Sequence, residues 1–287
     1  MADESKNKTD RPELYPMPSN TFLTERDLAK TPILETHYLG IEFGSLVAVE
    51  NFSVSIGREE ICGLIGPNGA GKTTIFNLLT NVYQPTHGDI LLDGKTTKGL
   101  KTHQVTRMGI ARTFQNIRLF RNMTVAENVM VGMRDGLTYG IGASVGRLGS
   151  YWKQEKAARE EALEYLKLFH MEELADAVAG SLPYGAQRRL EICRAMATHP
   201  KILLLDEPAA GMNPAETEEL MNTIRFIRDH FHIAILLIEH DMNLVMGICE
   251  SIAVLDYGKI IAKGTPEQIQ GNPAVIEAYL GKEGGTF

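Results

Sequence analysis

Unbroken apolar runs mark the centre of this chain. Ile202-Leu203-Leu204-Leu205 ends in Asp206-Glu207, and Ile233 to Ile238 ends in Glu239-His240-Asp241. Runs of this length with no polar alternation predict strands buried on both faces, as in a parallel sheet. Ile61 to Ile65 is a third run of the same kind. Elsewhere the pattern is different. Ile33 to Phe43 alternates imperfectly, Gly44-Ser45 marks a turn, and Val47 to Ile56 reads as its antiparallel partner. Asp89 to Leu92 is a short strand ended by Asp93-Gly94, a hairpin signal. Ile110 to Thr113 is another strand, and Ser251 to Asp256 pairs with Lys259 to Lys263 around Tyr257-Gly258.

Helical spacing fills the gaps. It predicts helices over Thr73 to Thr80, Thr102 to Met108, Trp152 to Phe169, Glu172 to Val178, from about Leu182 to Thr198, and Pro214 to His230. Thr124-Val125-Ala126-Glu127 is a capping box whose helix reaches about Gly132. Thr265-Pro266-Glu267-Gln268 caps one short helix, and Asn272-Pro273 opens another. Gly136 to Gly149 holds five glycines and reads as a loop. The expected fold is α/β. It has a mostly parallel core sheet, an antiparallel β subdomain near the start, and a helical insert over about residues 116–181.

Composition narrows the class. The chain has 287 residues, which suggests one large domain or two small ones, and 44% of them are hydrophobic, enough for a sizeable core. Net charge is −7, which argues against a role coating nucleic acid. Cys62, Cys193 and Cys249 have no close spacing and read as buried free thiols. No apolar run approaches the ~18 residues that a membrane span requires. Residues 1–30 mix Lys, Asp, Glu, Asn and Pro without an apolar signal core and read as a mobile tail. Residues 282–287 read as a C-terminal tail.

The chemistry starts at Gly66-Pro67-Asn68-Gly69-Ala70-Gly71-Lys72-Thr73-Thr74, which fits Gly-x4-Gly-Lys-Ser/Thr. The loop follows an apolar strand and opens a helix, the context that the pattern needs. Glycines let backbone N–H groups turn toward an anion, and the helix dipole adds to the attraction. Lys72 supplies a point charge for outer phosphates, and the Thr73 hydroxyl a ligand for Mg2+. Asp206, at a strand end, suits Mg2+ directly or through water. Glu207 can orient or deprotonate an attacking water, a role worth about 10²–10⁴ in rate. His240, at the next strand end, can bond a terminal phosphate.

The set resembles an ATP-binding-cassette (ABC) ATPase over about residues 33–281, which implies a P-loop NTPase fold in a domain over residues 31–281. Longer strings, among them Ala111-Arg112-Thr113-Phe114-Gln115, Tyr184-Gly185-Ala186-Gln187-Arg188-Arg189-Leu190-Glu191 and Asn272 to Gly281, resemble the ATPase subunits of bacterial branched-chain amino acid importers. The resemblance implies further roles. Phe43 matches the aromatic that stacks on adenine, with Val49 beside the ring. Gln115 matches the residue that meets Mg2+ and the attacking water. Pro183, Tyr184, Gly185 and Ala186 match the signature that binds the ATP of a second subunit. Asp206 matches the Mg2+ holder, Glu207 the base and His240 the γ-phosphate contact. Asn213 lies in the matching dimer-interface loop.

It also implies partners: a second ATPase subunit, two membrane permease subunits gripped through Gln115 and residues 116–120, and, indirectly, a periplasmic or extracellular solute-binding protein. The implied place is the cytoplasmic face of the cell membrane. Lipid or lipopolysaccharide export by the same superfamily is the alternative, and a non-transport ATPase a more distant one.

The chain departs from the family pattern in two places. The usual signature is Leu-Ser-Gly-Gly-Gln, and this chain reads Leu182-Pro183-Tyr184-Gly185-Ala186. Proline has neither hydroxyl nor N–H, so weaker ATP-driven dimerisation is expected. Asn81 stands where a glycine commonly ends the first helix, and asparagine tolerates the same left-handed conformation.

Overall fold

The computed structural model describes residues 32–133 and 149–283. The tail expected over residues 1–30, most of the Gly136–Gly149 loop, and residues 284–287 of the tail expected over 282–287 lie outside the described residues, while residues 282–283 belong to the helix that ends at Glu283. Among the described residues ten strands form two sheets. β1 (Leu34–Phe43), β2 (Leu46–Ile56), β4 (His87–Leu92) and β5 (Lys95–Thr96) make an antiparallel sheet in the order β2-β1-β4-β5. β3 (Ile61–Ile65), β6 (Ile110–Arg112), β7 (Ile202–Asp206), β8 (Ala234–Ile238), β9 (Ser251–Asp256) and β10 (Lys259–Gly264) make the core sheet, in the order β10-β9-β3-β8-β7-β6. All of its neighbours run parallel except the β9–β10 hairpin.

The unbroken apolar runs have a direct cause. Leu203, Leu205, Ile235 and Leu237 enter one hydrophobic cluster, and Ile202, Leu204, Ala234, Leu236 and Ile238 enter another. The second lies between the core sheet and the antiparallel sheet with α1 (Lys72–Leu79) and α2 (Thr102–Met108). The first holds the helices of the opposite face: α3 (Val125–Gly132), α4 (Gly149–Leu168), α5 (Tyr184–Met196), α6 (Pro214–Phe231) and α7 (Met242–Ile248). Both faces of β7 and β8 are therefore dry, and neither strand has room for a polar position before its end. α8 (Pro266–Gln270) and α9 (Pro273–Glu283) follow β10.

Between residues 116 and 181 the described chain adds no strand to either sheet. It holds α3, α4 and two single 3-10 turns, Glu172–Leu174 and Ala179–Ser181. The helix expected over Glu172 to Val178 is thus cut to one turn. The reason lies in the hydrogen bonds: the Ala175 and Ala177 carbonyls accept from the N–H groups of Ala126 and Val125, at the start of α3. Carbonyls spent on capping another helix cannot continue their own. Met123 and Thr124 complete the tie, through Ala179 N–H to Met123 O (2.9 Å) and a Thr124–Val178 bridge.

Candidate functional site

Parallel register brings the strand ends into line. Leu64 of β3 and Asp206 of β7 both face Ile238 of β8. The phosphate loop, Asp206-Glu207 and His240 therefore leave the sheet at one edge, and β6 delivers Gln115 beside them. Carboxyl ends of parallel strands are where an α/β sheet holds its ligands.

The loop is shaped by close approach. Gly66 has φ +148°, and a Cβ there would lie 2.0 Å from the Leu255 carbonyl oxygen. Gly71 has φ +105°, caps α1, and would meet the Ala48 oxygen at 2.9 Å. No side chain fits at either place. Lys72 is buried, and its Nζ donates to the Gly66 and Pro67 carbonyls at 2.6 and 3.0 Å. Asn68, Gly69 and Thr73 are exposed, Ala70 and Pro67 buried, and Thr74 half-buried.

Three of the expected catalytic groups meet directly. His240 Nε2 lies 2.9 Å from Glu207 Oε1, and Gln115 Nε2 donates to Glu207 Oε2 at 2.6 Å. Glu207 itself has φ +46°, a left-handed conformation that turns its carboxylate out of the strand line. Asp206 points elsewhere. Its Oδ2 accepts from Arg112 Nη2 at 2.6 Å, while Arg112 Nη1 donates to Asn77 Oδ1 at 2.7 Å on α1. Arg112 is sandwiched between the Phe76 and Phe114 rings, 5.4 and 4.9 Å from their centroids. A carboxylate at Asp206, a hydroxyl at Thr73 and an amide oxygen at Gln115 are the hard oxygen donors that Mg2+ takes alongside phosphate and water. Among the described residues no cluster of His, Cys, Asp and Glu would hold a metal unaided.

Phe43 lies apart, exposed at the end of β1, its ring edge-on to Tyr83 at 5.4 Å and 76°. Val49 does not present the face expected of it. It has no exposed surface and belongs to the core below the loop, because its β2 position pairs with Ile41 inside the antiparallel sheet. Asn213 caps α6 in a reciprocal box: its Oδ1 accepts from Glu216 N–H at 3.0 Å, and Glu216 Oε2 accepts from Asn213 N–H at 2.9 Å. Pro183 is the N-cap of α5 and contributes no side-chain bond. Gly185 and Ala186, in the first turn, line with it a cavity of about 160 Å³ that also touches Met212 and Glu216. Asn81 has φ +52°, and its Nδ2 also donates to the Thr97 and Leu100 carbonyls.

The residues that reading the motifs alone misses are buried charges behind the loops. Arg188 has no exposed side-chain surface. It donates to the Phe114 carbonyl (2.7 Å), the Gln115 carbonyl (2.8 Å), Glu191 Oε2 (2.8 Å) and the Tyr184 hydroxyl (3.3 Å). Glu191 Oε1 in turn accepts from Arg118 N–H at 2.9 Å. Asn128, also buried, accepts from Phe120 N–H and donates to the Phe120 and Thr124 carbonyls. The available signal was an arginine and a glutamate three apart on the apolar face of α5. Glu239 is the third such charge. Burial pushes its carboxyl above the usual range, while N–H groups of Ala209, His240 and Asp241 draw it back. Beside the Gln115 loop runs a groove of about 410 Å³, lined by Phe114, Arg118, Phe120 and Arg194 among others.

Comparison with known proteins adds a second line. The ABC transporter family profile matches residues 49–210, and the profile named "Branched-chain amino acid ATP-binding cassette transporter" matches residues 259–285. The high-affinity branched-chain amino acid transport ATP-binding protein BraF of Pseudomonas aeruginosa is 48% identical over 251 residues, 88% of this chain and 98% of that protein. The high-affinity branched-chain amino acid transport ATP-binding protein LivG of Escherichia coli (strain K12) is 49% identical over the same shares. A crystal structure of the ADP conformation of an ATP-binding cassette from an ABC transporter superposes with a TM-score of 0.77 at 29% identity, covering 88% of this chain and all of that one.

Proposed function

We propose a function from one premise: this chain belongs to the ABC transporter family. It is an ATPase subunit that powers an importer, and its substrate class is branched-chain or similar amino acids. The observation that carries the reading is the bonding of Glu207 to both Gln115 and His240, at the sheet edge that also bears the phosphate loop. The 48–49% identity to two branched-chain amino acid transport subunits supports the import direction over lipid or lipopolysaccharide export.

The residues divide the work as follows. Residues 66–74 cradle the phosphates, and Lys72 exchanges its bonds to the Gly66 and Pro67 carbonyls for phosphate oxygens. Mg2+, when bound, neutralises developing charge on the phosphates. Thr73, Asp206 and Gln115 would hold it. Phe43 stacks on the adenine. Glu207 takes the proton of the attacking water, and His240 holds the γ-phosphate and orients the Glu207 carboxylate. Like any helix, α5 leaves its first N–H groups, those of Tyr184, Gly185 and Ala186, without acceptors inside the helix. They serve the ATP of a second ATPase subunit, with Pro183 ahead of them and Asn213 across the interface. Residues 116–181 act as the helical unit that meets two membrane permease subunits, and the groove beside Phe114 and Phe120 is their seat. Membrane attachment runs through those partners; no helix among the described residues is long and apolar enough to cross a membrane. The solute-binding protein acts on the permease side, and the ATPase stays on the cytoplasmic face.

Glu207→Gln tests this. The variant binds ATP with Mg2+ and traps it in a dimer, with hydrolysis abolished. Hydrolysis at the parent rate would remove Glu207 from the mechanism.

A further inference from the structure

Glu239 is the strand-end acid that the division of work above leaves without a task. It is 3% exposed and stands just beyond β8. Its two oxygens face different loops. Oε1 accepts from the N–H of Ala209, in the loop after β7, at 2.7 Å. Oε2 accepts from the N–H groups of His240 and Asp241, in its own loop, at 3.0 and 3.4 Å. Beside it, Glu207 N–H donates to the carbonyl of Ile238, the last residue of β8, at 2.9 Å. Glu207 and His240 are thus carried on two loops that a single buried carboxylate clips together.

We propose that Glu239 is a positioning residue that sets the spacing between Glu207 and His240. The inference rests on the ATPase reading given above. A carboxylate has acceptors on both oxygens and can serve three N–H groups on two sides. An amide offers one oxygen, and its NH2 group would oppose the N–H groups on the other side. A glutamine therefore releases one loop, and a shorter aspartate keeps the charge but falls short of one loop. Either change lets Glu207 and His240 drift from their 2.9 Å contact. Glu207 sits at φ +46°, a conformation that persists only while its surroundings hold it.

The experiment uses the full chain with ATP and Mg2+, and 15N-histidine labelling to follow the imidazole nitrogens. Glu239→Gln is expected to lower kcat between about tenfold and about a hundredfold, the range a displacement near 1 Å produces. Nucleotide Kd, read with a fluorescent ATP analogue, stays within about twofold, since the phosphate loop is untouched. The His240 ring resonances move, while those of the other seven histidines stay in place. Glu239→Asp gives a smaller loss in kcat with the same selective shift at His240, and carries the test if the glutamine variant does not fold. An unchanged kcat, an unmoved His240 resonance, or a shift of all histidines together overturns the proposal. If the parent chain fails to hydrolyse ATP, the ATPase reading fails instead, before any variant is compared.

Discussion

Replacing Arg188 by methionine should release the Gln115 loop from the signature helix and cost the fold dearly. The side chain is wholly buried and donates four bonds, two of them to backbone carbonyls of the Gln115 segment. Methionine fills a similar volume but leaves Glu191 a buried charge with Arg118 N–H as its remaining bond. Breaking a buried pair on one side costs about 3–5 kcal/mol. Carbonyls left without donors raise the cost, at about 1–3 kcal/mol each when fully desolvated. Relaxation recovers part of this, so we expect a loss of about 4 kcal/mol, set against a typical total of about 5–15 kcal/mol. For a domain of this size that corresponds to a fall in Tm of roughly 8–16 °C. Urea titration and thermal melting of the full chain measure it. Adding Glu191→Gln removes the stranded charge, and the double variant should regain at least about 1 kcal/mol over Arg188→Met alone. A loss below about 1 kcal/mol for the single variant, or strictly additive losses for the pair, would refute the reasoning.

Three further outcomes follow from particular contacts. Pro183→Ser fits the N-cap dihedrals of −56° and 154° and supplies a hydroxyl and an N–H. One recovered bond to a charged group is worth about 1.5–3 kcal/mol, so the ATP concentration for half-maximal hydrolysis should fall at least about tenfold, and no fall would count against the signature assignment. Gly66→Ala places a methyl group 2.0 Å from the Leu255 oxygen, so nucleotide binding by equilibrium titration should be lost together with a lowered Tm. At alkaline pH the burial of Tyr165 and Tyr279 becomes visible, since both phenols are pushed up to about 12 from 10.0. The folded state keeps these protons where the unfolded chain loses them, so stability holds up to about pH 10 and falls as pH rises toward 12. Tyr165→Phe should flatten that fall in a urea titration series.

The core sheet was legible because its cause is local. A strand buried on both faces must be apolar throughout, and Ile202–Leu205 and Ile233–Ile238 announce this in the residues themselves. The turn at Gly66 was legible for a like reason, because only glycine fits where its Cα approaches the Leu255 carbonyl. The helix expected over Glu172 to Val178 failed because its carbonyls are claimed by α3, some 50 residues earlier, and no short window can register that competitor. Val49 was set beside the adenine by the resemblance alone, and its burial comes from pairing with Ile41 inside the antiparallel sheet. Arg188 and Glu239 escaped notice because each is a charged residue that ordinary statistics assign to the surface.

Those two buried charges change what the site is. Apolar packing of similar volume often matches or exceeds a buried charge in stability, so stability alone does not account for Arg188 or Glu239. What each supplies is direction. Arg188 takes carbonyls of the Gln115 segment and a hydroxyl at the start of the signature helix into one fork. Glu239 takes N–H groups of the two loops that carry Glu207 and His240. Apolar contacts would let these loops slide, whereas hydrogen bonds to a fixed charge set both distance and angle. The three groups that meet at Glu207 arrive from three different strand ends, and none of the strands reaches the point of meeting. Their convergence within 2.6–2.9 Å is therefore a property of the loops, and the loops have it because charges buried behind them hold it.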